Sequence, residues 1–220
     1  MPLAIFDLDN TLIAGDSDHL WGEFLVERSL VDAEHFKQKN DEFYQDYVDG
    51  NLNIYNYIAF SLSPLKEHSM TALARLHNEF MESHIKPIML DQARALIKQH
   101  KDNGDTLLVI TATNRFVTEP IVNAFGITHL LAIELEIVEG RYTGQSIGVP
   151  SFKEGKVTRL KQWLEEHPHR LSDAFFYSDS HNDIPLLELV GNPVVVDGDE
   201  QLLAHGRKKN WKTISLRDER

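Results

Sequence analysis

Apolar and polar positions fall into two patterns along the chain: short unbroken apolar runs that end in polar clusters, and longer stretches with an apolar residue every three or four positions. Leu3–Phe6 (LAIF) is the first run, closed by Asp7. An apolar run of this length with polar borders suits a strand buried on both faces of a parallel sheet. After Ile13, the turn and cap residues Gly15-Asp16-Ser17 open a stretch of helical periodicity that reaches Pro87. Leu20, Phe24 and Leu25 share one face, Phe36, Phe43, Tyr44, Tyr47 and Val48 a second, and Leu73, Leu76, Phe80 and Met81 a third. Aromatic stripes at helical spacing read as core, so this stretch is expected to be a helical insert packed on itself, punctuated at Asp49-Gly50-Asn51 and Ser61–Pro64.

Past Pro87 helix and strand alternate, the signature of a parallel α/β sheet. Ala93, Leu96 and Ile97 mark a helix that stops at Asn103-Gly104, and Thr106–Ile110 is the next buried run, ending in Thr111-Ala112-Thr113-Asn114. A helix from near Phe116 to Gly126 follows, then two strands, Ile133–Val138 and Arg141–Ile147, joined by a tight turn at Glu139-Gly140. Lys153–Glu166 is helical, and Ala174–Tyr177 is a third apolar run, ending in Ser178-Asp179-Ser180-His181-Asn182-Asp183. A short helix over Asn182–Val190, a strand at Pro193–Val196, a helix around Glu200–Lys209 and a strand at Thr213–Leu216 complete the expected α/β fold: a Rossmann-like parallel sheet with a helical insert after its first strand.

Three apolar runs therefore end in Asp7 and Asp9, in Thr111, and in Asp179 and Asp183. In a parallel sheet such C-terminal ends lie side by side, where open α/β sheets place their ligands. Asp7 and Asp9, two apart on extended backbone, point the same way, with Thr11 in the same register. Taken alone, Asp-Asn-Thr is also ordinary turn chemistry; convergence of the three ends favours a site. Crowded carboxylates repel, and a hard divalent cation with oxygen ligands, Mg²⁺ above all, relieves them while leaving positions for a substrate phosphate. One use of the pair is a nucleophile held ionised and a general acid/base that keeps its proton.

Composition narrows the partners. A formal net charge of −12 over 220 residues argues against nucleic acid and anionic membrane surfaces, which select basic patches. The chain has no cysteine, so disulfides and thiolate metal sites are excluded. Leu3–Phe6 is too short for a signal segment and no basic stretch precedes it, which makes a cytoplasmic location the expectation. The 11 histidines lack ligand spacing, and His167-Pro168-His169 reads as a polar loop; His181, inside the Asp179–Asp183 loop, is a candidate to face substrate together with Asn182.

Asp7-Leu8-Asp9-Asn10-Thr11, the lone Thr111 closing the second strand, a lysine upstream of the third, and Asp179-Ser-His-Asn-Asp183 together resemble the haloacid dehalogenase superfamily of phosphohydrolases, in the same order and across the chain. The branch most similar is the phosphoserine-phosphatase-like one, to which some histidinol-phosphate phosphatases belong. The resemblance implies a catalytic core over residues 1–14 and 87–220 and a C1-type cap over 15–86. It implies that Asp7 attacks phosphorus, that Asp9 protonates the leaving alcohol and then activates water, and that Thr111, Lys156 and the amides near Leu8 and Ala112 hold phosphate oxygens. It also implies a Mg²⁺ held by Asp7, the carbonyl of Asp9 and Asp179, with Asp183 orienting that shell. Lys153 is the other claimant for the lysine; its separation from Asp179 favours Lys156. Tyr177-Ser178 departs from the branch, which usually has glycine before Asp179.

Asp16 matches the place of an acidic residue that contacts the substrate amine in that branch, and as a residue type it is equally suited to cap the first helix of the insert. Before Pro87 the insert offers only Arg28 and Arg75, which tilts the expected substrate toward an amine-bearing phosphomonoester without a carboxylate, histidinol phosphate over phosphoserine. A phosphotransferase or mutase on the same fold, and a catalytically silent phosphate-binding module, are the competing readings; the intact Asp7/Asp9 pair favours hydrolysis of a small metabolite.

Overall fold

The computed structural model describes residues 1–217. These form a seven-stranded sheet in the order β4-β3-β2-β1-β5-β6-β7: β1 (Leu3–Phe6), β2 (Thr106–Asn114), β3 (His129–Val138), β4 (Arg141–Ile147), β5 (Phe175–Ser178), β6 (Asn192–Val196) and β7 (Lys212–Ile214). All neighbouring pairs are parallel except β3–β4, which is an antiparallel hairpin. β1 pairs with β2 on one side, Phe6 against Val109, and with β5 on the other, Phe6 against Tyr177. The strand order thus reverses at β1, and such a switch point opens a crevice at the strand ends.

Alternation along β1 divides its side chains between two apolar layers. Leu3 and Ile5 pack with Leu160, Leu186 and Leu202 from α7 (Glu154–Glu166), α8 (Ile184–Leu187) and α9 (Glu200–Lys209). Ala4 and Phe6 face the opposite layer, with Ile97 of α5 (Asp91–Asp102) and Val117 and Ile121 of α6 (Arg115–Ala124). All four β1 side chains are fully buried, which accounts for the unbroken apolar run.

Between β1 and β2 run α1 (Ser17–Glu27), α2 (Ala33–Val48), α3 (Ile54–Ser61) and α4 (Met70–Phe80), with short 3-10 and π turns over Ser63–Ile88. This stretch does not pack only on itself. Trp21 of α1 stacks on Phe24 and meets Phe116 of α6 edge-on at 5.3 Å, and the His77 ring of α4 reaches the Val117 carbonyl at 2.8 Å, so one apolar layer runs from the insert into the sheet.

Two other expectations change. Along α2 only Phe36 and Asn40 are buried; Val48 is exposed, and Phe43, Tyr44 and Tyr47 are half-buried and turned to a cavity. β3 starts at His129, earlier than Ile133, because Leu130 and Leu131 pair with Val109 and Ile110 before the strand leaves the sheet as a hairpin with β4. Its first half thus belongs to the parallel sheet and only its second half to the flap. The helix expected over Asn182–Val190 is a 3-10 turn, His181–Asp183, followed by one α turn, because Pro185 supplies no N–H to an earlier carbonyl.

Candidate active site

β1 ends in a compact turn: the Leu8 carbonyl accepts from the amides of Thr11, Leu12 and Ile13, and Asn10 takes a left-handed φ of 53°. Leu8 buries its side chain in the core while its main chain stays at the strand ends. Asp7 is anchored through its N–H to the Tyr177 carbonyl at 2.9 Å, and its Oδ1 accepts from the Lys156 ammonium at 2.8 Å. The same ammonium donates to Asp183 at 2.8 Å, and the Ser178 hydroxyl donates to Asp183 at 2.6 Å. All four side chains are buried. Burial opposes the charge on Lys156, but the flanking Asp183 and Asp7 outweigh it and hold its pKa above the ordinary value. Lys153, the other candidate, points elsewhere and donates to the Gly50 carbonyl at 2.8 Å.

Asp9 is gripped on both oxygens. Oδ1 accepts from the Ser17 amide at 2.7 Å, and Oδ2 from the hydroxyls of Thr111 at 3.2 Å and Thr113 at 3.0 Å. Burial, and then the nearby charge of Asp16, push its pKa up to about 6 despite these donors. The Thr111 hydroxyl therefore addresses Asp9. Thr113 is a contact the sequence reading missed, although two-residue spacing on one strand puts Thr111 and Thr113 on the same side. Ser178, where the resembling branch has glycine, orders this loop by donating to Asp183 and accepting from the Ser180 amide at 3.2 Å.

Asp179 lies beside this group and accepts from the Thr11 hydroxyl at 3.0 Å; burial, with Asp7 and Asp183 near it, holds its pKa well above the ordinary value. Among the described residues no three His, Cys, Asp or Glu side chains are grouped as a ready metal cage. Two carboxylates and a main-chain carbonyl fall short of such a cage, yet an all-oxygen donor set of carboxylates crowded together suits a hard divalent cation that keeps several positions for water or phosphate.

Above Asp7 and Asp9 is a cavity lined by Thr111–Thr113 on the sheet side and by α1, α2 and α3 on the other. Asp16 lines it and also caps α1, its Oδ1 accepting from the amides of Asp18 at 3.0 Å and His19 at 2.8 Å. Asp18 lines it as well. Phe43, Tyr44, Tyr47 and Tyr57 form its aromatic wall. Among the described residues lining it there is no lysine or arginine. His181 and Asn182 face the end of α2 instead: the Asn182 amide donates to the Tyr47 carbonyl at 3.3 Å, and His181 is held by Asp199 at 2.8 Å. Asp18 and Tyr57 escaped the sequence reading because Asp18 follows the cap residues Gly15-Asp16-Ser17 as an ordinary first-turn acid and Tyr57 lies in the stretch read as packed on itself.

A family model for haloacid dehalogenase-like hydrolases matches residues 4–188. The chain belongs to that family. It is 46% identical to a histidinol-phosphatase of Neisseria meningitidis over 98% of this chain and 99% of the relative, and 28% identical to a phosphoserine phosphatase of Mycobacterium tuberculosis over 97% of this chain and 70% of the relative. A crystal structure of a protein from Bordetella pertussis superposes with a TM-score of 0.92 at 41% identity, covering 98% of this chain and 99% of that one. A substrate-bound phosphoserine phosphatase has the same fold, with a TM-score of 0.71 at 18% identity over 97% of this chain and 92% of its own. No helix among the described residues is long and apolar enough to cross a membrane.

Proposed function

We propose that this phosphoric monoester hydrolase is a Mg²⁺-dependent phosphatase of a small cationic metabolite, histidinol phosphate, acting through an aspartyl phosphate on Asp7. Residues 15–86 serve as the cap that selects the substrate, and residues 1–14 and 87–220 as the core that handles phosphate.

Charge in the cavity carries the substrate reading. Asp16 and Asp18 face it together with four aromatic rings, and no lysine or arginine lines it. Arg28 is exposed and engages Glu79 at 3.2 Å, and Arg75 is exposed. A substrate carboxylate would meet no lysine or arginine there, only the imidazole of His19, whereas an ammonium or imidazolium meets carboxylates and π faces. Histidinol phosphate has the amine and the ring and lacks the carboxylate of phosphoserine; the 46% identical histidinol-phosphatase supports the same choice.

In this reading an Asp7 carboxylate oxygen attacks phosphorus while Asp9 gives its proton to the departing alcohol oxygen, leaving phosphate bonded to Asp7. Asp9 then takes a proton from water as that water attacks the phosphorus, and the P–O bond to Asp7 breaks. A pKa near 6 suits Asp9 to hold a proton in one half-reaction and accept one in the next. Lys156 orients Asp7 and, with the amides of Leu8 and Ala112, holds the phosphoryl oxygens; the Thr111 hydroxyl joins them once it turns from Asp9 to the phosphate. Asp7, Asp179 and the Asp9 carbonyl would hold Mg²⁺, with Asp183 steadying the site through Lys156 and Ser178. A bound Mg²⁺ would supply positive charge that offsets the aspartates and the phosphoryl group.

Initial rates with histidinol phosphate, phosphoserine and p-nitrophenyl phosphate test the reading. The expected result is a kcat/KM for histidinol phosphate at least about tenfold above that for phosphoserine, about the worth of one charge-assisted contact, and loss of turnover in EDTA. A preference for phosphoserine would overturn the substrate, and full activity in EDTA the metal.

A further inference from the structure

Asp18 is placed as a receptor and not as a solvated helix residue. It sits in the first turn of α1, 6% exposed, and two other parts of the chain meet on it. Tyr57 of α3 donates its hydroxyl to Oδ2 at 2.5 Å, and Asn114, at the end of β2, donates its amide to Oδ1 at 3.2 Å. Asn114 is itself fixed, because its Oδ1 accepts from the Val117 amide and caps α6. The Asp18 carboxylate is therefore held from the insert and from the sheet in one orientation, at the wall of the cavity above Asp9.

A carboxylate offers about four acceptor sites, and Tyr57 and Asn114 occupy two. The remaining capacity faces a cavity walled by Phe43, Tyr44 and Tyr57, where a cation gains both from the carboxylate and from the rings. Asp16 is differently committed: one oxygen caps α1, and the residue is half-buried. An uncompensated buried carboxylate is costly, and among the described residues Asp18 has no cationic partner; burial raises its pKa to about 7 even with Tyr57 donating to it. A cationic ligand is the missing partner.

We infer that Asp18 is a specificity-determining residue of this enzyme, binding the cationic end of the substrate, and that Tyr57 is its positioning residue, which makes recognition depend on α3 lying over the sheet. The inference rests on the proposed cationic substrate and goes beyond it by naming the group that reads the charge.

The test compares wild type, Asp18→Asn and Tyr57→Phe on histidinol phosphate and p-nitrophenyl phosphate in the same Mg²⁺ buffer, with histidinol as a competitive inhibitor of aryl phosphate hydrolysis. In Asp18→Asn the ratio of kcat/KM for histidinol phosphate over the aryl phosphate should fall at least tenfold, mainly through KM, and the inhibition constant of histidinol should rise by a similar factor. Tyr57→Phe keeps the carboxylate and should give the same pattern at a smaller amplitude, about threefold. Proportional losses on both substrates in Tyr57→Phe, or an unchanged ratio in Asp18→Asn, would overturn the inference and leave the substrate standing. A wild-type enzyme that hydrolyses the aryl phosphate, ignores histidinol phosphate and is not inhibited by histidinol would remove the substrate reading and the inference with it.

Discussion

Asp16 and Asp18 are two residues apart at the start of α1, and burial pushes their pKa values up to about 6 and about 7. In both cases hydrogen bonds to the charged form resist the shift and lose to desolvation. Because the folded pKa lies above the unfolded one, each group favours the fold most below the unfolded carboxylate pKa. That contribution is lost as pH rises through about 6 to 7, when the cavity acquires charge. Selectivity runs the opposite way, since only the ionised forms attract a cation. The ratio of kcat/KM for histidinol phosphate over p-nitrophenyl phosphate should therefore rise between pH 5.5 and pH 8 by about tenfold, with its midpoint near the Asp16 and Asp18 values. Each kcat/KM is first divided by the fraction of its substrate present as the phosphate dianion, because an aryl phosphate loses its second proton at a lower pH than an alkyl one. A flat ratio across this range would mean that neither carboxylate reads the substrate's charge.

At the scale of elements, the end of α2 joins the insert to the strand ends. The Tyr47 carbonyl receives Asn182 at 3.3 Å, the Gly50 carbonyl receives the Lys153 ammonium at 2.8 Å, and the His181 Nε2 lies 2.7 Å from where a Cβ on Gly50 would stand. A left-handed φ of 72° and this close approach both favour glycine at position 50. The orphan carbonyls of a helix C-terminus are a natural seat for a cation. Lys153→Ala should speed amide exchange over residues 45–51 by about tenfold, the worth of one charge-assisted bond, while exchange in β1 stays unchanged. Unaltered exchange in that segment would show that Lys153 does not hold the insert down. None of this clasp was legible in the sequence, where Asp49-Gly50-Asn51 reads as punctuation and Lys153 as an alternative to Lys156. The strands β1, β2 and β5 were legible because burial on both faces leaves an unbroken apolar run. The aromatic face of α2 misled for a related reason: a helix lining a cavity and a helix lining a core have the same periodicity, and only the partner surface distinguishes them.

At the scale of the molecule, the fold gathers carboxylates that a chain of net charge −12 has no simple way to neutralise. Asp7, Asp9, Asp179 and Asp183 come from two strand ends, and among the described residues Lys156 is the one cation bonded among them. That convergence was readable as an expectation, since β1, β2 and β5 prove to be neighbours; the routing of the Thr111 and Thr113 hydroxyls to Asp9 was not, because it depends on side-chain rotamers. Mutual repulsion of the aspartates would make the proposed cation a stabiliser as well as a participant: whatever binds the folded chain and not the unfolded one raises the melting temperature. At a Mg²⁺ concentration one hundred times its dissociation constant the gain is about 2.7 kcal/mol. For a chain of this size that moves Tm by roughly 5–10 °C relative to EDTA. Asp179→Asn should remove most of the shift, because Thr11 can still bond the amide while a charged oxygen ligand is lost. Ca²⁺ should also raise Tm and yet fail to support turnover, since its larger, looser coordination shell does not hold the phosphoryl group in line with Asp7. Scanning calorimetry in EDTA, Mg²⁺ and Ca²⁺ separates these cases, and equal melting temperatures in EDTA and saturating Mg²⁺ would remove the divalent cation from the site.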